Sequence, residues 1–233
     1  MSSADVLARM RVRIAVAVAG ALLAATVPGS AAAESPCGDL GGRIDSGRNC
    51  EYRASAPGYL VEISFPSGYP DQRSVVDYLN PLKNDFIEFA GGPPPHDWPY
   101  TLTVTSTTYR SGDVDTGTQS LVLTMSQDAN PHPVTWFKSF TFDVARGRPI
   151  ALENLFAAGT VPADVVYPEV RRELEKRWSP EVFETMVGEI NSGTFANFAL
   201  TDDAVIFFFG QGQLLGHPEG PLEVSVSKDA LGL

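Results

Sequence analysis

Residues 59–105 read YLVEISFPSGYPDQRSVVDYLNPLKNDFIEFAGGPPPHDWPYTLTVT and hold a strand, a helix and a second strand in that order. Tyr59, Val61, Ile63 and Phe65 alternate with Leu60, Glu62 and Ser64. That is the period-two pattern of a half-buried strand. Pro66, Ser67 and Gly68 end it. Val75, Leu79, Leu82, Phe86 and Phe89 then recur at steps of four and three, one apolar stripe of a helix. Asp71 is placed to cap its start. Pro81 lies inside the stripe and removes an i→i−4 hydrogen bond, so the pattern predicts a kinked or split helix. Residues 91–95, GGPPP, predict a loop. Tyr100, Leu102 and Val104 alternating with three threonines open the next strand.

The same alternation continues. Leu121, Leu123 and Met125 alternate with Val122, Thr124 and Ser126, and Phe140, Phe142 and Val144 with Thr141 and Asp143. Turn residues at 111–113 and 129–131 separate these runs, which predicts an antiparallel meander. After Pro149 the period changes. Val166, Val170 and Leu174 recur every fourth residue, which predicts a helix to about Trp178, with a short one after Pro180. The chain ends in β pattern: Phe198 and Leu200, then 204–209, then Leu222, Val224 and Val226 alternating with Glu223, Ser225 and Ser227. Strands and helices in this order predict an α+β fold: a mixed or antiparallel sheet with two main packing helices. A weak boundary near 146–149 divides residues 34–146 from 147–233 as subdomains sharing a sheet and a core.

The N-terminus reads as an export segment. Arg9, Arg11 and Arg13 precede an uncharged run over 14–27, and Ala31-Ala32-Ala33 is an A-x-A cleavage site. The run is too short for a comfortable transmembrane helix. Residues 1–33 are therefore read as a signal peptide cut at Ala33-Glu34, leaving a product free of a stable membrane anchor. Losing Arg9, Arg11, Arg13 and Asp5 takes the formal charge from −11 to −13. So acidic a chain shows no basic patch for nucleic acid. In an oxidising compartment Cys37 and Cys50, 13 positions apart with no third thiol, are expected to pair. Closing a loop of that size contributes about 3 kcal/mol. A catalytic cysteine is the less favoured reading.

Chemistry is sparsely signalled. His96, His132 and His217 each adjoin a proline, and none has the i,i+4 spacing of a helical zinc site. G-x-S-x-G is absent, as are the glycine-rich phosphate loops. Asp113-x-Asp115-x-Gly117 resembles the start of a calcium loop, but its glycine is one position early and Thr124 replaces the closing glutamate. No cofactor or metal is implied. Ser126 and Asp128 just before His132 are the material for a nucleophile, a carboxylate and a base, which triads assemble by geometry. Ser126 reads equally as an outward-facing strand residue. The run 206–209, IFFF, predicts a central strand buried on both faces. Its alternative is an exposed patch, through Phe207 and Phe209, for a partner or an acyl chain.

Several short motifs stand in a recurring order: Tyr69-Pro70-Asp71-Gln72, His132-Pro133, Tyr167-Pro168, Asn197-Phe198-Ala199, Thr201-Asp202, the 206–209 run, Leu214-Leu215 and Gly220-Pro221. Together they resemble the mycobacterial secreted immunogenic protein family over residues 37–231. Residues 147–228 are also similar to the extracellular domain of RsiV-type anti-sigma factors, which binds lysozyme. The resemblance implies an α+β fold with a β-grasp-like element and no assigned catalytic residues. It implies a secreted, non-catalytic binding or immunogenic protein acting on a host or envelope partner, a lysozyme-like enzyme among them. Esterase labels among relatives keep a carboxylic-ester hydrolase as the alternative.

Overall fold

The stripe at 75–89 becomes the longest helix of the computed structural model, which describes residues 35–92, 98–129, 132–191, 193–216 and 219–233. The predicted signal peptide, His96 and His217 lie outside the described residues. The order of elements is α1 (Pro36–Asp39), β1 (Arg43–Ile44), β2 (Asn49–Ala56), β3 (Tyr59–Pro66), α2 (Gln72–Ala90), β4 (Tyr100–Ser111), β5 (Thr118–Asp128), β6 (Val134–Asp143) and β7 (Arg148–Pro149). A 3-10 turn (Leu152–Leu155), α3 (Pro162–Leu174), α4 (Pro180–Met186), β8 (Phe198–Leu200), β9 (Ala204–Phe209), β10 (Leu222–Ser227) and α5 (Lys228–Leu231) follow.

The fold is α+β. Strands β1 to β7 form one mixed sheet in sequence order, in which only β3 and β4 pair parallel, because α2 crosses between them. Alternation puts Val61, Ile63, Phe65, Leu102, Val104, Leu121, Leu123 and Met125 on one face, packed with Val75, Val76, Leu79 and Phe86 of α2. Strands β8 to β10 form a second, antiparallel sheet, so the two halves do not share one sheet as expected. Phe207 and Phe209 face α3 and α4 with Val166, Val170 and Phe183. Phe208 and Ala199 face the first sheet through Val122 and Phe137. The layers therefore run α2, seven-stranded sheet, three-stranded sheet, α3 with α4.

Polar side chains join the two sheets. The Leu200 N–H donates to Ser120 Oγ at 3.1 Å and the Phe198 N–H to Ser139 Oγ at 2.8 Å. Thr141 Oγ1 donates to the Phe198 carbonyl at 3.2 Å. Ser120, Ser139 and Thr141 are buried, so the backbone groups of β8 meet partners where water is excluded.

Helix α2 is one continuous element through Pro81, so of the expected kink or split the split does not occur. A proline costs one hydrogen bond locally, and the continuous buried face on the sheet outweighs it. Asp71 caps it as expected, accepting from the Ser74 N–H at 3.3 Å. Helix α3 ends at Leu174, before the expected Trp178, and Ser179 starts α4 by accepting from the Val182 N–H. Strands β1, β2 and β7 carry no strong hydrophobic signal in the sequence. Strand β2 forms because Ala56, Pro57, Gly58 and Tyr59 fold it back on β3 in antiparallel register.

The cysteines are joined, Cys37 to Cys50, and both are buried. Lys83 anchors this loop to α2. Its Nζ donates to the Leu40 carbonyl at 2.8 Å and lies 4.6 Å from the centre of the Tyr52 ring. The residue is only 8% exposed, and burial lowers the pKa of its ammonium group. Arg73 and Asp39 add an ion pair at 2.6 Å.

Candidate functional site

The serine, aspartate and histidine expected as catalytic material do not form a unit. Ser126 is half-buried on β5, opposite Thr103 and Thr135 in the ladder. Asp128 is exposed at the end of that strand, opposite Thr101, and His132 is exposed in the loop before β6. No hydrogen bond among the described residues joins these three side chains. Phe207 and Phe209, the weak candidates for an exposed patch, are both 0% exposed. Phe195 meets each of them edge-on with ring centres 5.9 Å apart, so this face is core and not a docking surface.

A cleft of about 330 Å³ opens instead where the two halves meet. Its walls come from Tyr69, Asp71 and Ser74 at the start of α2, from residues 138–141 of β6, from 149–153 and from Ala196 and Phe198. Each wall has a local cause. Pro70 and the Asp71 cap start α2 beside Tyr69, and alternation turns Lys138 and Phe140 to the α2 face of the sheet. A cluster of apolar groups, Phe140, Pro149, Ile150, Leu152 and Phe198, borders a few polar ones. That mixture is typical of small-molecule clefts.

Three polar groups of this cleft are uncommitted. Tyr69 is 2% exposed and its hydroxyl makes no hydrogen bond with any described residue. Burial, and secondly the Asp71 carboxylate, push its pKa far up, so it holds its proton. Lys138 has no carboxylate within ion-pair distance among the described residues, and its Nζ lies 5.6 Å from the Phe140 ring centre and 5.8 Å from that of Tyr78. The Ser74 hydroxyl likewise has no partner among the described residues. Asp71 is engaged by the Ser74 N–H, and Glu153 is exposed. Sequence reasoning placed Tyr69 and Asp71 in a motif and missed Lys138, Ser74 and Phe140 as neighbours of it.

Among the described residues, no three His, Cys, Asp or Glu side chains are grouped to hold a metal ion, and no helix is long and apolar enough to cross a membrane.

Residues 153–229 match the family described as "Protein of unknown function (DUF3298)". That span runs from the 3-10 turn through β10 and contains most of the core around Phe207 and Phe209. Over 225 residues, 95% of this chain and 98% of the relative, the chain is 37% identical to "Esterase Rv3036c" of Mycobacterium tuberculosis. It is 38% identical over 224 residues, with the same coverage, to "Immunogenic protein MPB64" of Mycobacterium bovis. Among solved structures, a DUF3298 family protein from Pseudomonas aeruginosa superposes with a TM-score of 0.57. A member of that family from Bacteroides fragilis superposes with a TM-score of 0.50. Each is 13% identical, over 79% of this chain and 90% of the other, a likeness of fold alone.

Proposed function

This chain belongs to the family of mycobacterial MPB64- and Rv3036c-like proteins, and from that premise we propose that it is exported and acts outside the cell as a binding protein. The observation that carries this reading is the cleft between the two halves, preformed and lined by the uncommitted Tyr69, Ser74 and Lys138 side chains. Export is supported by the N-terminal pattern and by the disulfide, which persists in oxidising compartments. The formal charge, −11 for the full sequence and −13 without residues 1–33, favours a basic protein as the macromolecular partner, from the host or the envelope. A lysozyme-type enzyme, the partner implied by the resemblance to RsiV-type domains, is the first to test. Titration with lysozyme at low and at high salt is expected to show binding that weakens as salt rises. No binding at low salt would remove that partner.

The name of one relative, "Esterase Rv3036c", favours ester hydrolysis as a second reading. It assigns Ser126 or another loop serine as nucleophile and His132 as base. Turnover of p-nitrophenyl esters by the intact chain, lost in His132→Ala with the fold retained, is its expected signature. Equal turnover in both proteins would exclude His132 from that role.

A further inference from the structure

Tyr69 is only 2% exposed, lines a cleft of about 330 Å³ rather than sealed core, and its hydroxyl is engaged by no described residue, so it is available there as a donor. Across the same cleft stands Lys138, a cation with no anion beside it among the described residues. Both are donors. The remaining surface is largely hydrocarbon: Phe140, Ile150, Leu152 and Phe198. Two carboxylates also line the wall: Asp71, which accepts from the Ser74 N–H and whose charge is felt at Tyr69, and Glu153, which is exposed to solvent.

Resting on the reading that this cleft is where the protein binds, we infer that it takes a medium-chain acyl compound, whose carbonyl or carboxylate oxygens accept from Tyr69 and Lys138 while its hydrocarbon lies on Phe140, Ile150, Leu152 and Phe198. A chain of medium length is the expected occupant, because about 330 Å³ is at the small end of ligand clefts, roughly 300–1,000 Å³. A free acid and an ester share this chemistry and differ in charge. Lys138 therefore discriminates between them, while Tyr69 serves both.

The test is calorimetric titration of the full chain with octanoate and with methyl octanoate, for the wild type, Tyr69→Phe and Lys138→Met. Tyr69→Phe deletes one hydroxyl and is expected to weaken both ligands about 3- to 10-fold, the range of a neutral hydrogen bond. Lys138→Met is expected to weaken octanoate about 10-fold or more and the ester by less than about 3-fold, because only the acid loses a charge partner. Unchanged affinity in both variants would show that the acyl compound binds elsewhere, leaving the protein a binder and overturning this site. No binding of either ligand by the wild type would overturn the ligand class, while lysozyme capture would still judge the broader reading. Thermal unfolding accompanies each titration. Should Tyr69→Phe prove unstable, the acid-against-ester contrast in Lys138→Met decides alone.

Discussion

The Asn197 carboxamide takes the place of a strand beside Ser139: its Oδ1 accepts from the Ser139 N–H at 3.0 Å, and its Nδ2 donates to the Phe137 carbonyl at 3.0 Å. Strand β6 has β5 on one side and only the two-residue β7 on the other. Its free edge is closed piecemeal by Asn197, by the Gln211 N–H on the Thr135 carbonyl at 2.8 Å and by the Ile150 N–H on the Thr141 carbonyl at 2.8 Å. Covering an edge in this way prevents pairing with another chain.

Asn197→Ala is therefore expected to leave a backbone donor and an acceptor without partners. The cost is about 1–3 kcal/mol, read as a lower midpoint in urea unfolding. Light scattering at raised temperature is expected to increase as the edge of β6 opens. Asn197→Asp keeps the acceptor for Ser139 but sets a carboxylate oxygen against the Phe137 carbonyl, so it too should lower the midpoint, and more at pH 7 than at a pH where the carboxyl is protonated. An unchanged midpoint in Asn197→Ala would mean that water replaces the carboxamide without loss.

The disulfide closes a loop with a sequence separation of 13. The paired variant Cys37→Ala, Cys50→Ala is expected to lose about 3 kcal/mol, chiefly because the unfolded chain gains freedom. The folded loop keeps Lys83 on the Leu40 carbonyl and Arg73 on Asp39, so the variant should still fold. Limited proteolysis with mass spectrometry is expected to find its first cuts within 38–49. Wild-type stability after reduction would contradict this account.

Phe207→Ala is expected to cost about 3–5 kcal/mol, since the ring is fully buried against Phe195 and the helices. Any binding activity should disappear only along with the folded state, as followed by circular dichroism. A folded Phe207→Ala protein that loses only binding would return this residue to a functional role.

Asp143 gives an acid-side prediction. The backbone N–H of Arg146, at 2.9 Å, and its guanidinium, at 2.7 Å, hold the Asp143 carboxyl below its ordinary 3.8. The unfolded chain then binds this proton before the folded one does. The stabilisation is present above about pH 4 and is lost as pH falls through the lower folded value. Asp143→Asn should be less stable than the wild type at pH 7, with the difference shrinking toward pH 2. Urea unfolding at the two pH values checks it, and a pH-independent difference would rule it out.

The strand at 59–65, the helix stripe at 75–89, the meander and the doubly apolar 206–209 run were readable by themselves. Alternation and the 3.6-residue period are set by backbone geometry, and every position of each pattern lies within one short segment. The same locality made Asp71 legible as a cap and the cysteines as a pair. Strand β2 was not, because its polar side chains become a strand only when β3 offers them a ladder. The unbroken course of α2 through Pro81 was not either, because the sheet beneath it decides that balance. Least legible of all was the cleft. Tyr69, Lys138, Ile150 and Phe198 are far apart in the chain, and no periodicity connects them. They share a wall only because a second sheet, seated on Ser120, Ser139 and Thr141, brings the end of one half against the start of the other.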